Sequence, residues 1–101
     1  MAFVRATKKD EVPPGNIREL QLNGKTIALA NVDGKLFAID NTCLHRGGPL
    51  GQGYLEGDKV TCPWHGWEYY VATGKTTMNP AVGVACYAIE LRGDDIFVDC
   101  G

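Results

Sequence analysis

Residues 16–40 read NIRELQLNGKTIALANVDGKLFAID, and this stretch decides the class of fold. Asn23-Gly24 and Asp33-Gly34 each stand between segments in which apolar and polar residues alternate. Such dipeptides are the strongest short-range signal for a β-hairpin, because a type I′ turn needs positive φ at both central residues. The stretch therefore predicts a three-stranded meander over residues 16–22, 25–32 and 35–40.

The alternation within the middle strand also predicts which side chains share a face. Side chains two residues apart point to the same side of a sheet. We therefore expect Ile27 and Leu29 on one face, and the opposite face to carry Ala28, Ala30 and Val32.

The two ends of the chain continue the β pattern. Residues 85–91 alternate, Arg92-Gly93-Asp94 predicts a turn, residues 95–99 return, and residues 3–6 predict a short first strand. The sequence thus predicts an all-β fold, an antiparallel sandwich or small barrel. Residues 41–80 are rich in glycine and loops, so we expect a subdomain inserted into a framework of about residues 1–40 and 81–101.

Length and composition exclude several classes of protein. The 101 residues fit one domain spanning 1–101, and the net charge of −2 argues against a nucleic-acid partner. Apolar runs stay well below the ~18 residues that a membrane span needs. The first residues become charged before the apolar segment of a signal peptide could form. We therefore expect a soluble cytoplasmic protein.

Two short motifs carry the chemistry: Cys43-Leu44-His45 and Cys62-Pro63-Trp64-His65. Residues two apart in an extended loop point the same way, and a proline favours a turn that brings the ends of the second motif together. Two thiolates and two imidazoles fit either zinc or iron in a cluster. Structural zinc sites usually pair like ligands, whereas here each loop supplies one cysteine and then one histidine. That arrangement is natural if the two ligands of one loop bind different, adjacent irons.

The motif C-x-H-x₁₆-C-x-x-H resembles that of Rieske proteins, in which two histidines replace two cysteines on one iron of a [2Fe-2S] cluster. Residues 43–50 and 62–69 resemble the two cluster loops of that family, and Asn79-Pro80-Ala81 resembles its proline-containing third loop. The resemblance implies a Rieske-like antiparallel sandwich or barrel with an inserted cluster-binding subdomain. It assigns the inner iron to Cys43 and Cys62, and the outer iron to His45 and His65.

The charge of such a cluster explains why histidine is used. Two ferric ions, two sulfides and two thiolates sum to zero, so that adding one electron gives a charge of about −1 rather than the −3 of an all-cysteine cluster. The reduction potential therefore rises to about −150 to +300 mV, against about −400 mV for plant-type ferredoxins.

The sequence differs at several positions from other branches of the Rieske family, and these differences indicate which branch it resembles. The high-potential Rieske proteins of cytochrome bc complexes carry a disulfide at the positions of Gly48 and Trp64, and a serine at the position of Trp67, whereas Tyr69 matches their tyrosine. Fewer hydrogen-bond donors to the cluster predict a potential in the lower half of the Rieske range. Both histidines belong to the cluster motif, so the chain lacks the second iron site of a Rieske oxygenase.

The resemblance therefore implies a ferredoxin that carries single electrons and has no substrate of its own. Its expected partners are a flavin-dependent ferredoxin reductase and the terminal component of an aromatic-ring oxygenase, and we expect a monomer. Two alternatives stay open: an electron-transfer small subunit of another reductase, such as nitrite reductase, and a zinc-stabilised interaction module without a redox role.

The remaining residues of interest have ordinary interpretations. Outside the motif, Cys86 is expected to be a buried strand thiol and Cys100 a frayed terminal thiol. Trp64 and Trp67 are interpreted as shielding the cluster rather than docking a partner. Solvated surface positions are expected for four charged residues that flank the cluster loops: Arg46, Glu56, Asp58 and Glu68.

Overall fold

The computed structural model describes residues 3–22, 24–44, 47–64, 66–79 and 81–99. These residues contain nine β-strands and two single 3₁₀ turns, at Lys9–Glu11 and Leu50–Gln52. The strands are β1 (Val4–Lys8), β2 (Ile17–Leu22), β3 (Lys25–Val32), β4 (Lys35–Asp40), β5 (Tyr54–Glu56), β6 (Lys59–Thr61), β7 (Glu68–Tyr70), β8 (Cys86–Arg92) and β9 (Asp95–Asp99). The fold is all-β, as the sequence predicts.

Six of the strands form one antiparallel sheet in the order β1-β9-β8-β4-β3-β2. The first and last strands of this order, β1 and β2, approach each other, so that the sheet is nearly closed into a barrel. The other three strands form a separate antiparallel sheet in the order β5-β6-β7. The sequence pattern did not reveal this small sheet, because its strands are only three residues long.

The turn at Asp33-Gly34 is the one that the sequence predicts, whereas Asn23 of the other predicted turn lies outside the described residues. Val32 pairs with Lys35 across a two-residue loop in which Asp33 has φ 52° and Gly34 has φ 93°. Positive φ at both central residues is the signature of a type I′ turn. Strand limits agree with the predictions for β3, β4 and β9. β1 begins one residue later than predicted and runs to Lys8, β2 begins one residue later, and both ends of β8 shift by one residue.

β3 is buried on both faces, and its two faces serve different cores. Ile27 and Leu29 lie in a barrel core with Ile96 and Val98. Ala28 and Ala30 lie in a second core, which also contains Cys43, Leu50, Val60, Cys62, Tyr69 and Val71. The predicted division of this strand into two faces is confirmed, and the small alanine side chains leave room for the segment packed outside the barrel.

The two cores separate the molecule into a barrel and a layer that contains both cysteines. The second core is built from β3 and β4 on one side, and from residues between 43 and 71 on the other. None of the helices in the described residues is long and apolar enough to cross a membrane.

Candidate metal centre

The first cysteine loop is a tight turn held by backbone hydrogen bonds. The N–H of Gly47 donates to the carbonyl of Cys43 at 2.8 Å, and the N–H of Cys43 donates to the carbonyl of Gly48 at 2.9 Å. Gly47 has φ 73°, in the left-handed region that favours glycine. The loop thus reverses within six residues and presents Cys43 on its inner side.

The second cysteine loop repeats this pattern residue for residue. The N–H of Gly66 donates to the carbonyl of Cys62 at 3.1 Å, and the N–H of Cys62 donates to the carbonyl of Trp67 at 2.8 Å. Gly66, like the glycine of the first loop, has positive φ, 76°. In both loops the glycine is therefore the fourth residue after the cysteine and sets the reversal.

Both cysteine side chains lie in the second core, and each residue is only 2% exposed. Neither forms a disulfide in the part of the chain that the structure describes. Two buried thiols that lie in one core and are not joined to each other are available as metal ligands, because thiolate is a preferred ligand of iron in Fe–S clusters and of zinc.

Tyr69 links the first loop to β7. Its side chain is fully buried, its hydroxyl oxygen lies 3.3 Å from Cys43 Sγ, and it accepts a hydrogen bond of 2.9 Å from the N–H of Leu44. Burial, with a smaller contribution from Cys43, raises the pKa of this hydroxyl above its ordinary value. The phenol therefore keeps its proton, and because its oxygen already accepts from Leu44, that proton is available to the sulfur of Cys43.

Gly48 and Trp64 bring the two loops into contact. A side chain at position 48 would lie 2.6 Å from Cys62 Sγ and 3.2 Å from the Cγ and Cδ2 atoms of Trp64. The indole of Trp64 therefore packs on Gly48, although the residue is 56% exposed overall. Trp67, in contrast, is half-buried and packs against the second core, which agrees with its expected shielding role.

Asn41 closes the base of the first loop, and sequence reasoning missed it. Its carbonyl accepts from the N–H of Leu50 at 2.7 Å, and its Oδ1 accepts from the N–H of Gly51 at 2.6 Å. Its Nδ2 donates to Glu19 Oε2 of β2 at 2.5 Å. An asparagine just before a cysteine loop was the only available signal, since burial of Asn41 depends on the barrel beneath it.

A third loop follows β7 and is fixed by Thr76 and Asn79. Thr76 Oγ1 donates to the carbonyl of Asn79 at 2.9 Å, and Asn79 Oδ1 accepts from the N–H of Ala81 at 3.0 Å. The N–H of Thr77 donates to the carbonyl of Glu68 at 3.0 Å, which ties this loop to the end of the second cysteine loop. Thr77 Oγ1 also donates to Glu68 Oε1 at 3.3 Å, so the carboxylate of Glu68 is hydrogen-bonded within the protein.

Several predicted residues lie outside the described residues. These are the two histidines of the motif, His45 and His65, together with Arg46, Pro80 and Cys100. Glu56 and Asp58 are exposed, as expected of solvated charges.

One expectation is wrong: Cys86 is exposed rather than buried. The residue lies at the start of β8, where Tyr87 and Ile89 turn toward the barrel core. Alternation then places Cys86 on the outer face, with its Sγ 3.5 Å from the carbonyl oxygen of Ala72. Partial burial of the sulfur raises the pKa of this thiol.

The chemistry of the donor set fits an iron–sulfur cluster. Two buried thiols lie in one core at the start of matched turns, a buried phenol lies within hydrogen-bond distance of one of them, and apolar side chains line the surroundings. Soft sulfur ligands in an apolar, hydrogen-bonding pocket are what such clusters require.

Comparison with known proteins gives the same result. Residues 2–88 match the protein family described as the Rieske [2Fe-2S] domain. The chain is 38% identical over 101 residues to the biphenyl dioxygenase ferredoxin subunit of Pseudomonas sp. (strain KKS102), covering 98% of this chain and 93% of that one.

Two solved structures are also similar. The ferredoxin of carbazole 1,9a-dioxygenase from Nocardioides aromaticivorans IC177 superposes with a TM-score of 0.89 at 25% identity, covering 97% of both chains. A chain from a complex of reduced oxygenase and oxidized ferredoxin in carbazole 1,9a-dioxygenase superposes with a TM-score of 0.86 at 28% identity, covering 95% of this chain and 91% of that one.

Proposed function

The chain belongs to the Rieske [2Fe-2S] domain family, and from that premise we propose that it is the ferredoxin of an aromatic-ring oxygenase system. It takes single electrons from a flavin-dependent reductase and passes them to the terminal oxygenase. The observation that carries this proposal is the 38% identity to a dioxygenase ferredoxin subunit over almost the full length of both chains. The protein is an electron-transfer component and not itself the catalytic enzyme, as in its relatives.

Four residues are proposed as the ligands of the cluster. Cys43 and Cys62 would hold the inner iron, and His45 and His65 the outer iron. Support comes from the burial of both thiols in matched turns, together with the position of each histidine two or three residues after its cysteine. When bound, the cluster supplies a centre that accepts and releases one electron.

The chain's own residues set the environment of that centre. Tyr69 directs its hydroxyl proton at Cys43 Sγ, and this hydrogen bond favours the more negative, reduced state. The second core excludes water from the side of the thiols.

The oxygenase as a partner is supported by the solved carbazole 1,9a-dioxygenase complex of oxygenase and ferredoxin, to which this chain is similar. The reductase follows from the chemistry, because a one-electron carrier must be reduced by a donor before it can serve an oxygenase. We further propose that residues 1–101 form one domain with a cluster-binding part over about 41–80, and that the protein acts as a monomer in the cytoplasm.

The test is electron transfer with purified components. The protein is mixed with a flavin reductase and reduced nicotinamide cofactor, and then with the terminal oxygenase of a biphenyl dioxygenase system under anaerobic conditions. We expect bleaching of the visible bands by the reductase and their recovery when oxidised oxygenase is added. Cys62→Ser serves as the control without a cluster.

Two results would contradict the proposal. A colourless protein that contains zinc would support a structural metal module instead. Reduction without reoxidation by any aromatic-ring oxygenase, but with reoxidation by another reductase, would place the protein as the electron-transfer subunit of that reductase.

A further inference from the structure

The two cysteine loops touch each other at Gly48. This residue is buried, and the space that its side chain would occupy is already taken by Cys62 Sγ at 2.6 Å and by the indole of Trp64 at 3.2 Å. The end of the first loop therefore lies directly against the cysteine and the tryptophan of the second. Only a glycine at position 48 permits this approach.

Gly47 and Gly48 are adjacent, but glycine is needed at each position for a different reason. Gly47 has φ 73°, and the nearest atom to a side chain there would be Thr42 Cγ2 at 3.8 Å. Gly47 thus serves backbone conformation, whereas Gly48 serves the contact between loops.

Trp64 covers this contact from outside. One part of its indole packs on Gly48, and the residue is otherwise 56% exposed. Leaving much of an indole exposed forgoes hydrophobic stabilisation that burial would supply. The barrel gains nothing from this side chain, since it belongs to neither core. The contact that it does make joins the two cysteine loops.

We propose that Trp64 is a positioning residue, whose indole clasps the two cysteine loops over Gly48 and keeps water away from Cys62 Sγ. This inference rests on the proposed function. The apolar surroundings of a metal site control solvent access and local dielectric, and through them the stability and potential of the site. The clasp is non-covalent, so removing it loosens one side of the site without unfolding the barrel.

The first experiment measures release of iron from the loaded protein. Wild type, Trp64→Phe and Trp64→Ala are exposed to an iron chelator, and bleaching of the visible absorbance is followed. Leu44→Ala is the matched control, because Leu44 is 51% exposed on the other loop. We expect Trp64→Ala to release iron about tenfold faster, and Trp64→Phe and Leu44→Ala to stay within about twofold of wild type.

The second measurement separates positioning from simple packing. Water reaching Cys62 stabilises the charged, reduced state, so the midpoint potential of Trp64→Ala should rise, while that of Leu44→Ala should not change. When the loaded protein is alkylated as its metal is released, the ratio of Cys62 to Cys43 modification should increase about tenfold in Trp64→Ala, since the two residues are equally exposed in wild type, at 2%. This ratio does not depend on electron transfer, so it tests the clasp even if the proposed function fails.

Gly48→Ala tests the same contact from the other loop. The added side chain also presses on Cys62 Sγ, which Trp64→Ala leaves in place, so the substitution should speed iron release in both backgrounds. Because contacting residues show coupled effects, the factor by which it does so should differ between the two backgrounds. Equal effects in both backgrounds would contradict the clasp. So would an unchanged release rate, potential and alkylation ratio in Trp64→Ala, or the same changes in Leu44→Ala.

Discussion

Glycines in the barrel and glycines around the cysteine loops meet different requirements. In the barrel turns, Gly24, Gly34 and Gly93 have positive φ and open space where a side chain would be. Near the cysteine loops, a side chain at Gly51 would lie 2.7 Å from the Cα of Glu19, and one at Gly83 would lie 2.6 Å from a backbone oxygen. The barrel uses glycine to turn the chain, whereas the layer that contains both cysteines uses it both to turn the chain, as at Gly47 and Gly66, and to bring backbones together.

This difference indicates how the barrel and the layer that contains both cysteines are each stabilised. The barrel is held by alternating side chains in a core of its own, and its turns merely connect strands. The layer outside it is held by close backbone contacts around two buried thiols, and we expect part of its stability to come from the metal that these thiols are proposed to bind. Substitutions in the two parts should therefore have separable effects on stability and on the spectrum.

The largest expected effect is that of Cys43→Ser. Serine cannot replace the thiolate, so the visible absorbance of the cluster should disappear, and much of the stability that metal binding contributes should go with it. Absorbance, iron analysis and thermal unfolding measure both losses. A coloured Cys43→Ser protein as stable as wild type would contradict the ligand assignment.

Leu29→Ala tests the stability of the barrel core. Leu29 is fully buried in the barrel core, and its truncation leaves a cavity. The free energy of unfolding should fall by about 2–5 kcal/mol in denaturant titrations, while the absorbance spectrum and potential of the folded protein stay unchanged. A clear shift of the potential would show that the barrel core and the metal site are coupled.

Two glycines near one hairpin test separately whether glycine is needed for backbone conformation or for close approach of two backbones. A side chain at Gly53 would collide with the carbonyl oxygen of Thr61, whereas Gly57 has φ 61° and open space. Gly53→Ala should lower the free energy of unfolding by about 3 kcal/mol, and Gly57→Ala by about 1 kcal/mol. Equal losses, measured by denaturant titration, would remove the distinction between the two kinds of glycine.

Tyr69→Phe removes one hydroxyl from the metal-binding layer. Loss of the hydrogen bond to Cys43 Sγ disfavours the reduced state, so the midpoint potential should fall by on the order of 50 mV. An unchanged potential would contradict the role of the hydroxyl as a donor to the sulfur.

The same hydroxyl predicts a pH dependence. Because the pKa of Tyr69 is higher in the folded protein than the ordinary value of 10.0, its contribution to stability is complete below about pH 10. Above that pH the unfolded phenol ionises first, and stability is lost as the pH rises toward the folded pKa. The decline of the unfolding temperature in this range should be smaller in Tyr69→Phe.

The smallest expected effect is that of Cys86→Ser. Cys86 is exposed on the outer face of β8 and belongs to neither core. Absorbance, iron content and potential should all match those of wild type. Loss of colour would mean that the proposed set of ligands is wrong.

The barrel could be predicted from sequence because its signals are local. Asp33-Gly34 determined a hairpin, and alternation in β3 assigned Leu29 and Ala30 to different faces. The limits of β1 were predicted less accurately, because a bulge between Arg5 and Thr7 disturbs its pairing with β9. The exposure of Cys86 was missed because alternation alone does not say which face of β8 is covered.

For the layer that contains both cysteines, the sequence predicted the type of metal site but not the structure of the loops. The spacing of cysteine and histidine indicated a cluster, but the matched turns at Gly47 and Gly66 depend on backbone hydrogen bonds that leave no periodic pattern. The role of Asn41 depends on a contact with Glu19, 22 residues away, and could not be read locally.

The most direct test of the account is an optical redox titration of the purified protein. A Rieske cluster held by two thiolates, and lacking the disulfide and serine of the high-potential proteins, predicts a reversible one-electron transition near about −150 mV. A midpoint near about +300 mV would contradict the predicted tuning of the site. A colourless protein that holds zinc and shows no transition would contradict the electron-carrier function itself.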